Sequence, residues 1–245
     1  MPGLEAGGVL PAEPHIGVDE VGRGCLAGPV VACALSLPPA FDLPGLDDSK
    51  KLTAKKREEL ALHILEQAEA VGLGLVSPLR IDEINILQAT FEAMALALRQ
   101  HAMGRGQGPP GEYPEPLTLE ACRDLDGKAE FAAVDALVLV DGNRLVPEET
   151  LARVFGLGEE FFANPRNKGL FRQRSVVGGD GKIPAISAAS IVAKTWRDHL
   201  MTGLDAKYKG YGLAGHKGYG TKEHLEALKR LGPSPVHRLT FAGVR

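Results

Sequence analysis

The stretch from His15 to Val31, HIGVDEVGRGCLAGPVV, constrains this chain more than any other. Apolar residues alternating at Ile16 and Val18 predict a strand, and that strand delivers two consecutive carboxylates, Asp19 and Glu20. Successive side chains on a strand face opposite sides, so both acids can serve one site only where the strand ends. The Gly22-Arg23-Gly24 turn that follows supplies such an end, because glycine accepts turn geometry and lets backbone come close to a ligand. Two acids, a bend and a guanidinium suit a divalent metal and a phosphate better than a hydrophobic core. An isolated Asp-Glu pair is ordinarily solvated surface, so the rest of the chain must decide.

Beyond the second apolar run, Val30 to Leu37, the sequence predicts a helix from Thr53 to about Ala70 with Leu60, Ile64 and Leu65 on one side. Its first turn holds Lys55, Lys56 and Arg57, which oppose the helix dipole and suggest an anionic ligand nearby. A short strand is expected at Val71–Val76. Ile84, Leu87, Phe91, Met94 and Leu98 then recur at helical spacing, a core-facing stripe. Gly104 to Pro116 is rich in Gly and Pro and reads as loop. Ala136 to Val140 predicts a buried strand ending in Asp141-Gly142-Asn143-Arg144, and Ser175 to Val177 another leading to Gly178-Gly179-Asp180. A helix of small residues follows from Ile183 to about Asp205. A Gly/Tyr/Lys loop and a helix between Thr221 and Gly232-Pro233 close the chain. Strands interleaved with helices specify an α/β fold.

Three strands therefore end in acids: Asp19-Glu20, Asp141 and Asp180. Ligand sites of open α/β sheets gather at strand ends. Carboxylates converging there would repel one another and raise one another's pKa values. A divalent cation resolves the conflict, and hard oxygen donors select Mg²⁺ or Mn²⁺ over zinc. Two such ions about 4 Å apart can activate water and stabilise the leaving oxygen in phosphodiester hydrolysis. Asp47, Asp48, Asp124 and Asp126 lie in loop-like contexts and read as surface. Asp198, inside the small-residue helix, reads as structural.

The charge pattern fits a nucleic-acid substrate although the formal net charge is −3. From Lys207 to Arg245 there are eight Lys and Arg against two acids, so the tail carries +6 and the remainder −9. Ser49 to Arg57 forms a second basic cluster, and local patches rather than the mean set the footprint. No apolar run is long enough to span a bilayer, the N-terminus lacks the plan of a signal peptide, and Cys25, Cys33 and Cys122 have no metal-ligand spacing. A cytoplasmic protein without membrane attachment is expected.

The motifs GVDEVGRGCLAGPVV, DDSKKL, VDGNR, GGD…SAASIVAK and HKGYGTKEH, in this order from about Ile16 to Phe241, closely resemble bacterial type 2 ribonuclease H, ribonuclease HII. The resemblance implies an RNase H-like mixed sheet flanked by helices. It implies a catalytic domain over residues 1–205, with surface insertions near 104–130 and 146–174, and a small helical C-terminal appendage over 206–245 that contacts substrate. It implies cleavage of the RNA strand of RNA–DNA hybrids, and cleavage 5′ of single ribonucleotides embedded in duplex DNA. The implied metal ligands and catalytic residues are Asp19, Glu20, Asp141 and Asp180, holding two Mg²⁺ or Mn²⁺ ions. Substrate contacts carried over by position are Gly22, Arg23 and Gly24 at the ribose 2′-hydroxyl and its phosphate, and Ser49, Lys50 and Lys51 at phosphates. Asn143, in VDGNR, and Tyr219, packed on the deoxyribose beyond the ribonucleotide, complete the set. The chain departs from the family pattern at Gly178, where a lysine is usual, so the phosphate contact of that lysine is not carried over.

A type 3 enzyme would carry Gly-Lys-Gly in the first motif and Glu as its last acid, whereas Arg23 and Asp180 stand here. A catalytically silent hybrid-binding protein is the alternative from another class, and the presence of all four acids opposes it. The chain is expected to act as a monomer, and no motif after His237 supports a sliding-clamp partner.

Overall fold

The computed structural model describes residues 13–39, 41, 53–104, 113–124, 136–158 and 172–245. A five-stranded sheet forms the centre, in the order β3-β2-β1-β4-β5. Its strands are β1 (His15–Val21), β2 (Val30–Ser36), β3 (Ala70–Val76), β4 (Leu137–Asp141) and β5 (Gln173–Val176). β1 to β3 form an antiparallel meander, while β4 and β5 add in parallel on the other side of β1. The sheet is thus mixed, as the resemblance implies. Its parallel half brings the C-terminal ends of β1, β4 and β5 to one edge.

Helices α1 (Ala54–Gln67), α2 (Pro78–Ala102), α4 (Glu148–Phe155) and α5 (Pro184–Lys207) cover both faces, and a short α3 (Leu119–Asp124) follows Leu117. On one face Ile16, Val18, Ala32, Val138 and Val140 meet Phe91, Met94 and Leu98 of α2 and Leu151 and Val154 of α4. On the other, Val31, Cys33, Leu35 and Leu73 meet Leu60 and Ile64 of α1 and Ala188, Ala189 and Val192 of α5. Each fully buried Leu or Ile of this kind stabilises the fold by roughly 1.5–3 kcal/mol. The alanines let α5 lie close to the sheet. At Gly17 the approach is so tight that a Cβ would collide with the Ala185 carbonyl.

The amphipathic stripe packs on the core as expected, with Phe91, Met94 and Leu98 buried and Ile84 and Leu87 partly so, but α2 is broken within it. Asn85 takes φ 66° and ψ 163°, and its side chain caps the second segment by accepting from the Leu87 and Gln88 N–H groups at 3.0 and 3.2 Å. Asn is among the few non-glycine residues that tolerate positive φ. Near the end of the Gly/Pro-rich loop, Leu117 exchanges backbone hydrogen bonds with Leu73 and Leu75, so this loop extends the sheet edge beside β3.

After α5 come α6 (Leu213–His216) and α7 (Lys222–Leu231). Leu213, Leu228, Tyr211 and Val244 form a separate apolar cluster with Met201 of α5 and with Leu26 and Ala27 of the loop after β1. Thr221 caps α7 by accepting from the His224 N–H at 3.3 Å. No helix among the described residues is long and apolar enough to cross a membrane.

Candidate active site

The β1–β4 ladder ends at Val18 and Val140, whereas β1 stays paired with β2 as far as Val21. The sheet therefore opens at Asp19 and Asp141, the next residue on each strand. Asp19 shares its face with Gly17 and points toward α5, where the Ser190 side chain bonds it. It is 7% exposed, and its carboxylate accepts the Glu20 N–H at 2.8 Å. Burial first, then the adjacent Glu20 and Asp141 charges, push its pKa up to about 8. Cys33 lies opposite Asp19 across the β1–β2 ladder, and burial together with that carboxyl group raises its thiol pKa.

Glu20, on the other parity of β1, is also raised by burial, against the opposing pull of Arg23. Arg23 Nη1 reaches Glu20 Oε1 at 3.2 Å. The strand runs one residue past Glu20, and the sharp turn beyond it brings Arg23 back over the acid. Asp141 Oδ1 accepts from the Gly179 N–H at 2.6 Å, which ties the end of β4 to the 3-10 turn Gly179–Gly181 that carries Asp180. Asp180 is buried, and its carbonyl accepts a bond from the Ser187 hydroxyl of α5.

The structure thus gathers Asp19, Glu20 and Asp141 into mutual electrostatic range and sets Asp180 on a turn braced by Asp141. Among the described residues, no three or more His, Cys, Asp or Glu side chains stand as a group that could hold a metal ion.

The turn after β1 requires its first glycine. Gly22 adopts φ +93°, and a Cβ there would strike the Arg197 guanidinium and lie 2.9 Å from the Pro29 carbonyl oxygen. Gly24 differs, because nothing lies within 4 Å of where its Cβ would be. Its backbone is bare on an open side, as close approach by a ligand needs. Asn143 and Arg144 are exposed beyond Asp141. Ser49, Lys50 and Lys51 lie outside the described residues.

Tyr219 stands beside the same turn, 44% exposed, with its side chain bonded to Cys25. Lys194 Nζ is 6.0 Å from the ring centroid. A chain of imidazoles holds the Tyr219 backbone. Ser234 donates its N–H to His237 Nδ1 at 3.0 Å, leaving His237 Nε2 as the donor to His224 Nε2, 3.0 Å away. His224 Nδ1 in turn donates to the Tyr219 carbonyl at 2.9 Å.

Asp198 pairs with Lys194 at 2.6 Å and with Arg57 at 3.4 Å. It organises cations beside Tyr219 and the start of α1, in keeping with the structural role read from the sequence. Two residues that motif reasoning passed over are Arg197 and Arg238, both fully buried beneath the Gly22–Pro29 loop. Arg197 stands among Lys194, Asp198 and His199, and Arg238 follows His237, so nothing local in the sequence separates either from a surface arginine.

The model of the family described as Ribonuclease HII matches residues 16–105 and 160–244. The chain belongs to the ribonuclease HII family. It is 49% identical over 229 residues to ribonuclease HII of Nitratidesulfovibrio vulgaris, covering 94% of this chain and 86% of that protein. It is 46% identical over 238 residues to ribonuclease HII of Oleidesulfovibrio alaskensis, covering 94% and 79%. Ribonuclease H2 from Pyrococcus horikoshii OT3 has the same fold, with TM-score 0.62, 24% identity and 95% coverage of both chains. So does Bst-RNase HIII in complex with Mn²⁺, with TM-score 0.57, 17% identity, and 95% of this chain and 68% of that one covered. As a member of the ribonuclease HII family, the chain is a ribonuclease H-type nuclease, a phosphodiester hydrolase.

Proposed function

We propose that this chain is an endoribonuclease that hydrolyses the RNA strand of RNA–DNA hybrids and cuts 5′ of single ribonucleotides in duplex DNA. The observation that carries this reading is the acid pair of β1, Asp19 buried and Glu20 partly so, within electrostatic range of Asp141 and beside a turn whose Gly24 backbone is open to a ligand. Asp19, Glu20, Asp141 and Asp180 would hold divalent ions, Mg²⁺ or Mn²⁺. The donor set fits, since every side-chain donor is a hard carboxylate oxygen and the burial that raises Asp19 is the strain a bound cation relieves. When bound, two such ions supply an activated water and charge stabilisation at the leaving oxygen.

The chain's own residues do the rest. The Gly22-Arg23-Gly24 turn reads the ribose 2′-hydroxyl, the group that separates RNA from DNA, and Arg23 offers its guanidinium to the adjoining phosphate. Tyr219 packs on the next sugar. Asn143 and the Ser49-Lys50-Lys51 segment add phosphate contacts, which position the duplex without reading sequence. The residues from 206 onward form the substrate-contacting appendage to the catalytic domain.

The test is cleavage of a DNA duplex holding one ribonucleotide, of a continuous hybrid and of an all-DNA duplex, each with and without EDTA. Chelator-sensitive cutting of the first two alone is expected. Binding of hybrid without any cleavage in Mg²⁺ or Mn²⁺ would instead favour the silent binding protein.

A further inference from the structure

Arg197 and Arg238 are each 0% exposed, and among the described residues neither has a carboxylate within ion-pair distance. A buried guanidinium is costly unless its donors are satisfied. Here backbone carbonyls satisfy them. Arg238 gives Nε to the Gly28 carbonyl at 3.0 Å, Nη1 to Arg23 at 2.9 Å, and Nη2 to Gly22 and Gly28 at 2.7 and 2.8 Å. Arg197 gives Nε to Pro29 at 3.0 Å, Nη2 to Ala27 at 3.0 Å and Nη1 to Lys217 at 2.9 Å. Arg197 therefore joins the turn after β1 to the Tyr219 loop, and Arg238 fixes the turn itself.

The planar trans peptide gives these bonds a direction. Its C=O and N–H point opposite ways. With the Gly22 and Arg23 carbonyls drawn inward onto Arg238, the N–H groups of Arg23 and Gly24 are turned outward. Neither donates to a backbone acceptor among the described residues. Two successive outward N–H groups form a small concavity for an oxygen ligand, on the side where Gly24 has no side chain.

We propose that Arg238 is a positioning residue for ribose selection: it aims the Arg23 and Gly24 N–H groups at the 2′-hydroxyl through the carbonyls it binds. The proposal rests on the hybrid-cleaving reading above. Lysine cannot replace it, having three donors on a point charge and no planar fork to span three carbonyls. The fork is itself held in register from outside the site. Asp82 of α2 accepts from the Leu239 and Thr240 N–H groups at 2.8 and 2.9 Å, next to Arg238 in sequence.

The test is equilibrium binding, in EDTA, of an RNA–DNA hybrid and of an all-DNA duplex of the same sequence, with amide exchange followed over residues 22–29. In Arg238→Lys the hybrid-to-DNA affinity ratio should fall about tenfold, as for loss of one charge-assisted bond, with DNA affinity unchanged. Amide exchange at Leu26 to Gly28 should quicken. Should Arg238→Lys fail to fold, Asp82→Ala, which slackens only the anchoring segment, should shift the ratio the same way by a smaller factor. A wild-type ratio above one that survives in a folded variant would show that Arg238 merely braces the fold, and would overturn the proposal. A wild-type protein with no preference for the hybrid would overturn the hybrid-cleaving reading itself, and this inference with it.

Discussion

At the scale of single residues the four acids divide by what each already touches. Asp141 braces the Asp180 turn through one oxygen and has the other to offer. Asp141→Asn or Asp180→Asn should lower the cleavage rate by about 10³-fold or more, comparable with removing a major electrostatic stabiliser. Hybrid binding should remain measurable, and near wild-type cutting by both variants would refute the metal assignment. Asp19 behaves differently because its burial destabilises the folded chain. Its pKa rises from an ordinary 3.8 to about 8 on folding. Between those values the native state keeps a proton that the unfolded state sheds, so its contribution to stability declines as pH rises across this window. Asp19→Asn should remove that slope in metal-free thermal melts, with equal or higher Tm at pH 7. It should also blunt stabilisation by Mg²⁺, which for the wild type is about 2–3 kcal/mol at one hundred times the dissociation constant. An unchanged Mg²⁺ response would refute it. These acids were legible because each follows a short apolar strand. Arg197 and Arg238 were not, since only their burial distinguishes them from surface arginines.

At the scale of elements, the sequence reading located the five strands and helices α1, α5 and α7 to within a few residues, and of α2 the stripe from Ile84 to Leu98, because period-2 and helical patterns are local. It missed the break at Asn85 since the apolar stripe continues across it, and the side chain that rebuilds the helix start is a single Asn. It also missed the pairing of Leu117 with β3, a long-range contact without a local pattern. The Tyr219 loop shows the same division. Its Gly-Tyr-Gly sequence marks a turn, but the imidazole chain that fixes its carbonyl depends on His237, far along the chain. A ring held by its backbone and half exposed suits a contact that senses shape. A deoxyribose fits against such a face, whereas a 2′-hydroxyl would crowd it. Stacking contacts are worth about 1–3 kcal/mol, so Tyr219→Ala should slow cleavage at a single embedded ribonucleotide roughly tenfold to a hundredfold. Cleavage within a continuous RNA tract should slow far less. Equal losses in kcat/KM for both substrates would make Tyr219 a general contact.

For the whole molecule, the question is whether the C-terminal charge works on substrate or merely solvates the surface. The tail from Lys207 carries +6 on a chain of net charge −3, but its parts have different duties. Arg238 is buried beneath the turn, Lys217 bonds the Asp198 carbonyl and the Thr202 hydroxyl, and Arg230 bonds the Gly210 carbonyl. Removing the tail would therefore dismantle the turn after β1, and the loss of affinity would say nothing about charge. Lys222 and Lys229 are exposed on α7, with the Lys222 side chain 86% exposed and Glu226 3.9 Å from it. Their replacement can be read as electrostatics alone. Each phosphate that a lysine neutralises releases counterions, with a slope of log affinity against log salt of about −0.9 per phosphate on B-form DNA. Lys222→Gln with Lys229→Gln should make that slope shallower by up to about 2 and weaken hybrid and all-DNA duplex alike, since phosphate contacts do not read the sugar. The hybrid-to-DNA ratio should stay where it was, in contrast to Arg238→Lys. Identical salt slopes for the double variant and the wild type would make α7 a solvated face and move the electrostatic contact to the cations around Asp198.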